Sequence, residues 1–174
     1  MKKLFGMFLS LILLVGLSIP VFATESDVAK NSITVDPILC AVGMVGLDYE
    51  RSIGNKFSIH LGYTSFNYEK TEDEETATLD GSMTVVGGKW YFKEAQHGGY
   101  FGLDARLIDV DITGENDVTE VFANGKNTSY AVTLGRKNIN NSGFTYDVGL
   151  AYLYTQEAET EGFACAYIRL GYGW

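Results

Sequence analysis

The chain has 174 residues, of which 46 % are hydrophobic, with 20 glycines but only 2 prolines. Its 22 acidic against 13 basic side chains give a net charge of −9. That balance argues against a nucleic-acid partner held by phosphate contacts and against simple charge attraction to anionic membrane surfaces.

Lys2 and Lys3 precede an apolar run from Leu4 to about Val21, interrupted only by small residues and Pro20. Val21-Phe22-Ala23 places small residues three and one before a cut after Ala23. Charged start, apolar run and small-residue site together read as a secretory signal peptide over residues 1–23. An uncleaved anchor is the alternative, because the run is nearly long enough to span. Thr24-Glu-Ser-Asp27 follows, however, with no positive stop-transfer flank.

All 22 acidic residues follow Ala23, and setting Lys2 and Lys3 aside leaves 11 basic ones, so the mature part carries −11. Its length suits one domain, expected over residues 32–174 after a short polar periplasmic lead-in at 24–31. No second run of ~18 apolar residues follows, so the mature chain either is soluble or crosses a membrane as a barrel.

No stretch sustains apolar residues at helical spacing, while Tyr, Phe, Val and Thr crowd short segments, which argues for an all-β domain. Eight strands are predicted, at about 32–41, 43–52, 56–68, 81–93, 99–111, 128–138, 143–155 and 163–174. Ile53-Gly-Asn-Lys56, Glu94-Ala-Gln-His-Gly98 and Ile139-Asn-Asn-Ser142 are short connections rich in Gly and Asn, which suit hairpins. Glu69–Asp80, Ile112–Lys126 and Gln156–Gly162 are longer and polar. Short and long connections therefore alternate, as in outer-membrane barrels. Ala41-Val-Gly43, very short for an outer loop, is the exception.

The strands have two unlike faces. Val45, Leu47 and Tyr49 alternate with Asp48 and Glu50, and Phe57, Ile59, Leu61 and Tyr63 with Ser58, His60, Gly62 and Thr64. Val86, Trp90 and Phe92 oppose Lys89 and Tyr91; Phe101, Leu103, Ala105 and Leu107 oppose Tyr100, Gly102, Asp104 and Arg106. Phe144, Tyr146, Val148, Leu150, Tyr152 and Tyr154 alternate with Thr145, Asp147, Gly149, Ala151 and Leu153. In the last strand Ala166, Ile168, Leu170, Tyr172 and Trp174 alternate with Cys165, Tyr167, Arg169, Gly171 and Gly173. Period two runs to the final residue.

A soluble sandwich or lipocalin-like barrel, exported and binding a small apolar ligand, would show the same periodicity. Three features favour the membrane. The polar face is Gly-rich and poor in Lys, as a narrow interior requires. Tyr49, Phe57, Phe92, Phe101, Phe144, Tyr172 and Trp174 gather beside the short turns like an interfacial girdle. The chain also ends on that girdle. The fold expected is a closed, antiparallel, up-and-down, eight-stranded transmembrane β-barrel in the cell outer membrane.

The inward set then comprises Asp36, Asp48, Glu50, His60, Lys89, Asp104, Arg106, Asp147 and Arg169. An eight-stranded barrel has room inside only for side chains, and isolated buried ions are costly, so these charges are expected to neutralise one another and plug the lumen. A narrow transport pore is the alternative. At the seam, setting Cys40 opposite Cys165 also sets Asp36 opposite Arg169, both pairs inward. That register predicts nearby cysteines, and an exported protein permits their disulfide.

Support for catalysis is weak. A lipid-modifying barrel enzyme needs a His beside a Ser and an acid. The two histidines are His60, one strand position pair from Ser58, and His97, in a predicted turn; neither begins a His-x-Ser motif. No metal-ligand spacing or phosphate-cradling loop appears, and no cofactor is expected. The acidic runs Glu72-Asp-Glu-Glu75 and Gln156-Glu-Ala-Glu-Thr-Glu161 read as a hydrated outer surface, with divalent cations as a weaker expectation there.

Over its whole mature length the chain is similar to the small outer-membrane β-barrel proteins, the group that includes opacity-type proteins and the OmpA membrane domain. Asp36-Pro37, Leu47-Asp-Tyr-Glu-Arg51, Gly88-Lys-Trp-Tyr-Phe92 and Arg169-Leu-Gly-Tyr-Gly-Trp174 look like strand motifs of an uncharacterised barrel family within it. The resemblance implies recognition by the barrel assembly machinery through Tyr172 and Trp174, and outer-membrane lipid around a monomer. It brings no catalytic residues. The expectation is a non-enzymatic barrel in a structural or surface-interaction role.

Overall fold

The computed structural model describes residues 29–72, 75–113, 125–155 and 162–174. The signal-peptide reading, most of the lead-in and the acidic run at 156–161 lie outside them.

Eight strands follow one another as β1 (Asn31–Val35), β2 (Met44–Ser52), β3 (Phe57–Glu72), β4 (Glu75–Tyr91), β5 (Gly98–Thr113), β6 (Gly125–Ile139), β7 (Phe144–Thr155) and β8 (Phe163–Gly173). A short helix, α1 (Pro37–Ala41), lies between β1 and β2. Each strand pairs antiparallel with the next, and β8 pairs back with β1, closing an up-and-down barrel. At the seam Asn31 and Trp174 exchange backbone hydrogen bonds, with N···O of 2.9 Å in each direction.

The short turns form where the sequence offers the right residues. Asn140 accepts hydrogen bonds from the backbone N–H of Ser142 and Phe144 on its side-chain oxygen, and Gly143 takes φ 85°, open to glycine without a Cβ penalty. Neighbouring turns are also joined: the Ala95 N–H donates to the Asn55 carbonyl at 2.8 Å.

Three predicted boundaries are corrected. The first predicted strand, 32–41, ends at Val35, and its second half is α1. Pro37 has no N–H to give a ladder and its φ suits the first helical position. Asp36 caps the helix, its Oδ1 accepting from the N–H of Ile38 (2.9 Å) and Leu39 (3.1 Å). The second correction concerns Glu69–Asp80, read as a loop. It belongs to strand, with β3 and β4 paired from Phe57↔Trp90 out to Glu72↔Glu75. Nearly every residue of that stretch is polar, so the sequence shows no alternation there, while the backbone ladder continues. The two ends of the segment 112–126, also read as a loop, are strand as well, β5 running to Thr113 and β6 starting at Gly125, while its middle lies outside the described residues.

The faces are inverted relative to a water-soluble domain. Val45 (67 % exposed), Leu61 (53 %), Leu103 (56 %) and Leu134 (57 %) point outward, as do Phe92, Trp90, Tyr172 and Trp174. Tyr146, grouped with the outward set by its position, is buried instead. Ionisable side chains fill the inside.

Candidate functional site

The inward positions of β2, β3, β4, β5, β7 and β8 bring Asp48, Glu50, His60, Lys89, Asp104, Arg106, Asp147 and Arg169 into the lumen. Glu50 is its centre. Its Oε1 accepts from the hydroxyls of Ser58 and Tyr91, each at 2.6 Å. Its Oε2 accepts from Lys89 Nζ at 2.8 Å and Lys137 Nζ at 2.7 Å. All four donors saturate one carboxylate that has no solvent contact. Lys89 also donates to Asp147 Oδ2 at 2.8 Å and stands 4.7 Å from the centroid of the Tyr100 ring. Lys137 gives a further bond to Ser32 at 2.7 Å, and Tyr100 donates to Asp147 Oδ1 at 2.6 Å while touching the Tyr167 hydroxyl.

Glu50 on β2 and Lys137 on β6 come from opposite walls, so their bond crosses the lumen. Lys89 on β4 ties that bond to β7 through Asp147.

A second group lies further from the short turns. His60 holds Asp48 through Nδ1 at 2.9 Å and Asp104 through Nε2 at 2.8 Å. Two carboxylate partners are what an imidazolium, a donor on both nitrogens, satisfies. Arg169 reaches Asp48 at 3.4 Å and lies over the Tyr167 ring, and Arg106 reaches Asp104 at 3.4 Å. Glycine makes this packing feasible. A Cβ on Gly87 would sit 2.4 Å from both Asp104 Oδ1 and His60 Nε2, and one on Gly135 would sit 2.7 Å from the Tyr100 hydroxyl.

Lys137 was missed from the sequence, although it shares inward parity with Ser129 and Thr133 on β6. Its addition matters. Among the described residues, Asp36, Asp48, Glu50, Asp104 and Asp147 supply five negative charges and Lys89, Arg106, Lys137, Arg169 and the His60 imidazolium five positive ones, so these ten groups balance. Tyr91, Tyr100 and Tyr167 were also missed as members, since an inward Tyr signals packing before hydrogen bonding.

The seam differs from the expected arrangement beyond Val35. Ser32↔Gly173 through Val35↔Leu170 follow the predicted register, but Asp36 caps α1 and does not oppose Arg169 on a strand. Cys40 is exposed on α1 and Cys165 half-buried on β8, both as free thiols. The imidazole of His60 faces carboxylates on both sides, and the Ser58 hydroxyl is bound to Glu50. His97 lies in the β4–β5 turn, 3.4 Å from the Asn138 side chain. No group of three or more His, Cys, Asp and Glu side chains suited to a metal ion occurs among the described residues. Of the acidic run at 72–75, Glu72 and Glu75 form the outermost described rung of β3 and β4.

A family model described as "Protein of unknown function (DUF3575)" matches residues 9–169. No curated protein matches the chain.

Proposed function

Because the chain belongs to the DUF3575 family, whose description carries no activity, its role has to be read from its own residues, and we propose that it is a non-enzymatic outer-membrane β-barrel with a plugged, charge-paired lumen, serving as a structural or surface-interaction element. The observation that carries this reading is the inversion of faces: large apolar side chains cover the outside of a closed barrel whose inside holds, among the described residues, ten charged groups. Contiguous apolar surface on this scale is rare on soluble monomers. From Phe144 to Tyr154 the outward residues of β7 span ten steps, about 33 Å along the strand, or about 25 Å at a tilt of ~40°, the height of a lipid-facing band.

The lumen chemistry supports a plug in preference to a pore or an active centre. Lys89, Lys137, Glu50 and Asp147 brace opposite walls at one level and are essentially inaccessible to water. His60 has no ring nitrogen left over to activate a nucleophile, since each is held by a carboxylate. Tyr172 and Trp174 supply the aromatic end by which the assembly machinery would recognise β8, and outer-membrane lipid would surround a monomer. Divalent cations would meet only the acidic outer segments. The test is membrane fractionation combined with electrophoresis of unboiled and boiled protein. An outer-membrane location with faster migration when unboiled is expected; a soluble product whose mobility ignores boiling would overturn the reading.

A further inference from the structure

The seam between β1 and β8 stops short of its own register. Asn31 and Trp174 form a hydrogen-bonded pair, so odd-numbered β1 residues occupy hydrogen-bonded positions and even-numbered ones the closer, non-bonded positions. Continuing Val35↔Leu170 outward sets Asp36 against Arg169 and Cys40 against Cys165, both in non-bonded pairs on the inward face. Cα atoms in such pairs stand about 4.5 Å apart, within the range a disulfide bridges. Pro37 would fall at a bonded position opposite Ile168, where it has no N–H to give. That single missing bond, with the Asp36 cap, explains why α1 forms instead.

Yet α1 is weakly held. It has five residues, none of them buried, and isolated helices of that length are marginal. It lies beside β8 already, and Cys165 has Asp36, Arg106 and Arg169 as its charged neighbours.

We propose that residues 36–40 have two arrangements governed by thiol oxidation: α1 with free cysteines, and an extension of β1 along β8 in which a Cys40–Cys165 disulfide locks the barrel seam. Oxidation proceeds by exchange with a disulfide-bonded thiol. The Cys40 thiolate attacks one sulfur of that disulfide, forming a mixed disulfide and releasing one thiolate. Cys165 then attacks the Cys40 sulfur and displaces the second thiolate; the two protons lost by the cysteines end on the two released thiols. Val42 and Gly43, the latter already at φ 84°, absorb the change in chain direction. This inference stands whether or not the barrel lies in a membrane.

Purified full-length protein in detergent, equilibrated with mixtures of reduced and oxidised glutathione, provides the test. Expected products are a monomeric Cys40–Cys165 disulfide, identified by mass after alkylation, and at least tenfold slower exchange of the Leu39 amide, which the extended strand bonds to Ala166. Pro37→Val, which restores a ladder donor, should raise the disulfide's equilibrium constant about three- to tenfold, as one added hydrogen bond does. Moving the thiol by one position (Cys40→Ser with Ala41→Cys) turns it outward and should cut cross-linking at least tenfold. A far-ultraviolet circular dichroism spectrum matching that of the unaltered protein confirms that each variant is folded. Two free thiols at high oxidised glutathione, intermolecular dimers, an unprotected Leu39 amide in the oxidised form, or equal cross-linking from position 41 would each overturn the proposal.

Discussion

Glu50 shows how one side chain organises the lumen. Four donors from β3, β4 and β6 converge on it, and each depends on its charge. Removing one partner of a buried ion pair leaves the other uncompensated, at a cost of 3–5 kcal/mol, whereas removing both is far milder. Glu50→Ala should therefore destabilise the barrel by about 3–5 kcal/mol in denaturant unfolding. Lys137→Met in the same chain should recover a substantial part of that loss, read as a double-mutant coupling of about 1–3 kcal/mol. Additive losses would show that the two side chains do not act as a pair. Gly87 is tested differently. Its missing side chain lets His60 meet Asp104. Gly87→Ala should cost about 1–3 kcal/mol through overpacking and shift the His60 ring nitrogen resonances as the Nε2 contact breaks. An unchanged His60 spectrum would mean that the contact does not hold the ring.

Among the elements, β8 combines three tasks. It pairs with β7 and β1, carries Arg169 inward to Asp48, and ends on the stacked Tyr172 and Trp174 rings, 6.4 Å apart. Replacing both rings by alanine should reduce the amount of heat-modifiable barrel recovered from membranes severalfold while leaving refolding in detergent intact. Equal losses in both would assign the rings to stability and not to assembly. The β3–β4 hairpin makes the opposite case. Beyond Asn67↔Asp80 its ladder continues without the alternation that marks the rest of each strand. A shortened hairpin in which Asn-Gly replaces residues 70–77 should keep its unboiled mobility and lose about 1 kcal/mol or less, because a two-residue turn closes the Glu69↔Thr78 pair directly.

At the scale of the whole molecule, the closed barrel and the charge-paired lumen are one arrangement. Eight strands leave an interior that side chains alone fill, and among the described residues five carboxylates there are matched by five cations. Planar-bilayer recordings of the refolded protein should accordingly show no stepwise conductance. Steady steps from the unaltered protein would show an open path and replace the plug with a pore.

Period-two alternation and Gly/Asn turns were enough to specify eight antiparallel strands and which residues of most strands face inward. Those properties are local, set by alternation along a strand and by the turns between strands. Lys137 as the balancing cation, Glu50 as the shared acceptor, and the choice of Asp48 over Asp36 as the partner of Arg169 were decided only when the closed sheet brought β2 opposite β6 and within reach of β8. The sequence carries no sign of those distances, because parity along one strand cannot say which inward side chain from another wall will reach it. The same holds for Asp36–Ala41: its alternation suits a strand, but a missing proline N–H and a capping carboxylate turn it into a helix at the barrel's seam.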